Sequence, residues 1–76
     1  MSTAIETERR TRAKPLTQRE IEVLYFRARG LENTDVARRL GVSTQSVKDS
    51  AQNILRKMNA WNMTEAVYRG TKQGLI

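Results

Sequence analysis

At 76 residues the chain has room for one domain, and a domain of that size buries only about 60% of the surface its unfolded chain exposes, so its core is small. Fourteen Lys and Arg against eight Asp and Glu leave a formal net charge of +6, a surplus that favours a polyanionic partner, nucleic acid foremost. The absence of cysteine and histidine excludes disulfides, thiolate and imidazole metal sites, Cys or Ser/His nucleophiles and histidine acid-base chemistry, so no enzyme, metal or cofactor is expected.

Residues 1–15 carry one sizeable aliphatic residue, Ile5, among charges and threonines, and cannot bury enough apolar area to offset the entropy of ordering. They read as a flexible arm, basic at its end through Arg9, Arg10, Arg12 and Lys14, able to follow phosphates or enter a minor groove. Pro15 closes it, because the residue before a proline is pushed away from helical geometry.

Residues 16–76 form the domain. Thr17 and Glu20 have the spacing of a capping box, with Leu16 and Ile21 as the ends of a hydrophobic staple. Ile21, Leu24, Tyr25 and Ala28 recur as one apolar stripe, flanked by Val23 and Phe26, up to a left-handed cap at Gly30. This predicts a first helix over about 18–29. A second follows over about 34–40, with Asn33 as cap, Asp35 in the first turn and Val36, Ala37 and Leu40 inward, stopped by Gly41. Ser43 caps a third helix over about 44–58, whose apolar positions Val47, Ala51, Ile54, Leu55 and Met58 fall on one side. A fourth opens at Met63 or Thr64, runs through Ala66, Val67 and Tyr68 and ends near Gly74, weakened by about 1 kcal/mol at Gly70.

The class is therefore all-α with four helices. Two helices joined by a tight glycine-containing turn, the first short and the second longer and basic, describe a helix-turn-helix unit. In such a unit the second helix enters the major groove. Turning the apolar side of helix 44–58 inward leaves Gln45, Lys48, Asp49, Gln52 and Arg56 outside. Lys48 can donate to guanine or a phosphate, and Gln52 can pair bidentately with adenine. Asp49 needs a donor, such as a cytosine amino group, to sit in a phosphate-lined groove. Arg56 and Lys57 lie further along, toward the sugar-phosphate wall. Such a face is also what a solvated surface helix carries; the coincidence of turn, serine cap, polar face and basic balance favours DNA.

The runs LTQREIEVL at 16–24, Gly30-Leu31, DVARRL at 35–40, Val42-Ser43, Ser46-Val47-Lys48, NILRKM at 53–58 and TEAV at 64–67 resemble the DNA-binding domain of the LuxR/GerE family. The resemblance covers nearly everything from Leu16 to Ile76. It implies a four-helix LuxR-type helix-turn-helix domain, here stand-alone behind a short arm, with the fourth helix often used for dimerisation. Gln45, Lys48, Asp49 and Gln52 are then the expected base readers. Thr34, Ser43, Ser46, Arg56 and Lys57 fall nearer the phosphates.

Trp61, in the connection between the third and fourth helices, reads first as capping the small core from one edge. Its other reading is an exposed patch, with Met63, Val67 and Tyr68, for a dimer or partner protein. The expected function is a sequence-specific DNA-binding transcriptional regulator. Its expected partners are double-stranded DNA, a second copy in a homodimer on paired half-sites, and RNA polymerase. The alternatives are a protein-interaction module that pairs with and inhibits a related regulator, and a fragment resembling region 4 of a sigma factor. With no apolar run near ~18 residues and no secretory signal, no membrane partner is expected and the location is cytoplasmic, at the nucleoid.

Overall fold

The computed structural model describes residues 15–76. The basic arm expected from Arg9, Arg10, Arg12 and Lys14 lies outside the described residues. Four helices follow in order, α1 Gln18–Ala28, α2 Asn33–Leu40, α3 Thr44–Met58 and α4 Met63–Lys72, with no strand among the described residues.

Each helix starts from a residue in extended geometry. At α1 the capping box is complete: the Thr17 N–H donates to Glu20 Oε1 at 2.9 Å and the Glu20 N–H donates to Thr17 Oγ1 at 3.1 Å. Ser43 Oγ accepts the Ser46 N–H at 3.0 Å, and Asn62 Oδ1 accepts the Glu65 N–H at 2.8 Å. The expected cap at Asn33 is not there. Glu32 holds that position without a side-chain bond, and Asn33 is the first helical residue, its Oδ1 accepting from Arg27 Nη1 at 2.6 Å. Arg27 therefore draws the amide away from the α2 backbone and onto the end of α1.

All four helices stop in the same way. A residue with positive φ follows the last turn, Gly30, Gly41, Asn59 or Gly74, and the next N–H reaches back five residues. Leu31, Val42, Ala60 and Leu75 donate to Phe26, Ala37, Leu55 and Gly70 at 3.1, 3.0, 2.9 and 2.8 Å. This is the six-to-one bond of a Schellman ending, which usually carries an apolar residue after the left-handed one. Leu31, Val42 and Ala60 fill that place here and pack on the core.

The core lies where the four helices meet, and consists of Val23, Leu24, Val36, Ala37, Val47, Ile54 and Ala66. Fully burying a Val, Leu or Ile contributes about 1.5–3 kcal/mol each. α3 packs against α1, α2 and α4, so its inward side is fixed by three neighbours. The inward side of α1 differs from expectation. Glu20, Val23 and Leu24 are buried, whereas Tyr25 and Ala28 are exposed and Ile21 is half-buried. α1 carries apolar residues at five of the six positions from 21 to 26, so its periodicity admits more than one inward face. Contact with α3 and α4 selects the one centred on Val23 and Leu24.

Gly70 is buried where α4 crosses α1. A Cβ there would stand 2.8 Å from Leu24 Cδ2, so the residue that looked like a weak point of the helix is what permits the close approach.

Candidate nucleic-acid interface

α2 and α3 are joined by Gly41, Val42 and Ser43 alone. Gly41 holds φ 69 and ψ 34, a left-handed geometry that costs a residue with a Cβ about 1 kcal/mol or more and costs glycine nothing. Val42 is tied back to Ala37 and packs on the core, and the Ser43 cap starts α3 at once. The angle between the two helices is thus set by bonds at each of the three connecting residues.

With Val47, Ala51 and Ile54 buried and Leu55 and Met58 packed half-buried against the core, the opposite side of α3 is turned to solvent. Gln45, Lys48, Asp49, Gln52 and Arg56 are all exposed on it. Gln45 Nε2 donates to Asp49 Oδ1 at 3.0 Å, so the carboxylate has a donor within its own face. Arg56 Nη2 donates to Asn53 Oδ1 one turn earlier.

A shallow hollow opens at the start of α2 and α3, lined by Arg27, Asn33, Thr34, Thr44 and Lys48 among others. Thr34 is exposed, and Ser46 is half-buried beside the Ser43 cap. Sequence reasoning passed over Arg27 and Thr44 here. The signal for Thr44 was present, since it stands four residues before Lys48 and hence one turn away on the same side.

Lys57 does not join this face. Its side chain is only 19% exposed and its Nζ lies 2.8 Å from Glu20 Oε1 and 3.5 Å from the Pro15 carbonyl oxygen. The expected phosphate contact at Lys57 is therefore corrected to an internal ion pair: the residue falls on the side of α3 that meets α1. Burial alone would raise the Glu20 carboxyl; hydrogen bonds from Lys57 and the Thr17 backbone, with the Lys57 charge, outweigh it and hold the group below its ordinary value of 4.5.

The expected partner surface divides. Trp61 is 90% exposed, which overturns its reading as a cap on the core. Met63 and Val67 are half-buried against that core. Tyr68 is exposed on the outer side of α4, with Lys72 Nζ 5.5 Å from its ring centroid. Glu65 is held below its ordinary value by the Trp61 N–H, against the opposing effect of desolvation and with help from Arg69. Among the described residues no group of three or more carboxylates could hold a metal ion, and no helix is long and apolar enough to cross a membrane.

Residues 14–69 match the family described as bacterial regulatory proteins, luxR family. The chain is similar to the uncharacterized transcriptional regulatory protein YxjL of Bacillus subtilis, 44% identical over 64 residues that make up 84% of this chain and 29% of that protein. It is 38% identical over 71 residues to the transcriptional regulatory protein DegU of Brevibacillus brevis, covering 93% of this chain and 30% of that one. Against the nitrate/nitrite response regulator protein NarP of Escherichia coli it is 48% identical over 44 residues, 58% of this chain and 20% of the other. The chain thus spans less than a third of the length of these relatives. The resemblance read from the sequence is borne out, and with it the all-α helix-turn-helix domain: this chain belongs to the luxR family of bacterial regulatory proteins.

Proposed function

We propose that this protein binds double-stranded DNA in the major groove through α3 and regulates transcription. The observation that carries the reading is the two-sidedness of α3, apolar and packed on three helices on one side, and on the other exposing Gln45, Lys48, Asp49, Gln52 and Arg56 behind a turn of three residues. Such a helix fits the major groove, which is about 12 Å wide, and the exposed groups are those that bond base edges and phosphates. The names of YxjL and DegU as transcriptional regulatory proteins support the same reading.

Gln45, Lys48, Asp49 and Gln52 read bases. Thr34, Ser43, Ser46 and Arg56 anchor phosphates, Thr34 from the hollow at the start of α2 and α3. The protein acts as a homodimer on half-sites about one helical turn apart, paired through the exposed side of α4 around Tyr68, and contacts or obstructs RNA polymerase at the nucleoid. Selection of bound sequences from a random duplex pool gives the site and its symmetry. On the selected duplex, Lys48→Ala and Gln52→Ala are expected to lose affinity more than on random duplex; equal losses on both would remove them as base readers.

A further inference from the structure

Trp61 is the only tryptophan of the chain, and it stands almost wholly in solvent. Its exposure does not come from a slack connection. The Trp61 N–H donates to Glu65 Oε1 at 2.5 Å, the Ala60 N–H donates to the Leu55 carbonyl at 2.9 Å, and Asn62 caps α4. The indole is held outward from a link fixed at both ends.

Beside it opens a hollow between the end of α3 and the start of α4, lined by Gln52, Leu55, Arg56, Ala60, Trp61 and Arg69. Gln52 and Arg56 also belong to the outer face of α3, so the hollow continues that face past the end of the helix. Two of the lining residues are arginines and none is acidic. Arg69 is paired with Glu65 at 3.2 Å, which leaves Arg56 as the uncompensated cation. An α-helix rises about 1.5 Å per residue, so Arg56 stands about 12 Å beyond Lys48 along the axis, with Trp61 beside it across the hollow. In a helix whose N-terminal half meets the base edges, the far end leads out toward the sugar-phosphate border of the groove.

We infer that Trp61 lays its indole against the deoxyribose of the strand bordering the major groove while Arg56 takes the adjacent phosphate, making this hollow a second grip on the DNA backbone. The inference rests on the DNA-binding reading above. The sugar presents carbon-bound hydrogens that an indole can cover, and the neighbouring phosphate meets a guanidinium; both chemistries are in the hollow. A second copy of the chain fits less well. Protein interfaces bury about 800 Å² per partner, whereas Leu55 and Ala60 are already half-buried on the core and offer little beside one ring.

The test uses Trp61 as its own reporter together with the anisotropy of a labelled duplex, which reads DNA binding independently. Titration with duplex is expected to quench and blue-shift Trp61 emission with the same midpoint as the anisotropy. Trp61→Ala should weaken binding at least about fivefold, on selected and random duplex alike. Its salt slope should stay unchanged, because no counterion is displaced by an indole, whereas Arg56→Ala should lower the slope by about one. Trp61→Phe should restore most of the loss. Since the side chain is solvent-facing, circular dichroism of each variant should match the parent. Rising anisotropy with Trp61 emission unchanged would overturn the inference while leaving DNA binding intact. An emission shift that follows protein concentration without DNA would assign the ring to a second copy instead, and no rise in anisotropy would remove both readings.

Discussion

The ammonium of Lys57, in the last turn of α3, stands 2.8 Å from the carboxylate of Glu20 in the first turn of α1, and the two side chains are 19% and 6% exposed. An ion pair this sheltered contributes little over an apolar pair of equal volume, but breaking it leaves a charge stranded. Lys57→Met should therefore lower the unfolding free energy by about 3 kcal/mol in urea titration, and adding Glu20→Gln should recover much of it. Lys57→Met should not change the salt slope of DNA binding, because this ammonium does not face the groove.

The same pair sets an acid limit. Glu20 titrates below its ordinary value of 4.5 in the folded state, so the stability it gives is complete above that value and is lost as pH falls through the lower folded one. Urea midpoints measured from pH 7 down to 3 should hold steady until about 4.5 and then fall. In Glu20→Gln the acid limb should be shallower; an unchanged limb would place the titrating group elsewhere.

Gly70→Ala sets two effects against each other. Alanine favours a helix interior by about 1 kcal/mol over glycine, but its methyl would meet Leu24 Cδ2 at 2.8 Å. Leu24 is fully buried, and overpacking of this kind costs about 1–3 kcal/mol. The expected result is a net loss, read as a drop of a few degrees in melting temperature.

Asn59 ends α3 with φ 55 and ψ 45, the one positive-φ residue other than glycine among the described residues. Asn59→Ala should cost about 1 kcal/mol and Asn59→Gly should be close to neutral, a contrast that thermal melts can resolve.

Asp49 presents a negative charge on the exposed side of α3, held by Gln45. Asp49→Asn removes one repulsion from the phosphates and should raise affinity for random duplex about fivefold at low salt. Discrimination should fall, because an amide donates as well as accepts and is no longer restricted to a donor such as a cytosine amino group. Anisotropy on selected and random duplexes measures both.

The turns and α3 were legible because they are written in local chemistry. Ser43 three residues before Ser46 and Gly41 after Leu40 fix α3 with no help from the rest of the chain. The misreadings share a cause, a partner distant in sequence. Glu20 was recognised as half of a capping box but not as buried, since the cation that permits its burial lies 37 residues on. Asn33 lost its capping role to Arg27, and the inward face of α1 was chosen by α3 and α4 rather than by its own apolar count. Trp61 was read first as a cap on the core, with an exposed patch as its other reading; it stands exposed, its backbone N–H tied to Glu65. Within the site, the exposed side of α3 was read in full, and the error fell on Lys57, one step round the helix from Arg56.

The three-residue link at Gly41, Val42 and Ser43 also acts as a phase setting. One residue more or fewer there would rotate α3 by about 100° about its axis. A deletion would turn Lys48 into the buried place of Val47 and an insertion would turn Val47 into the exposed place of Lys48, so the exposed face of α3 would be lost in a single step. The exposed positions Gln45, Lys48, Asp49 and Gln52 are therefore open to substitution one at a time, while the length of the link is frozen.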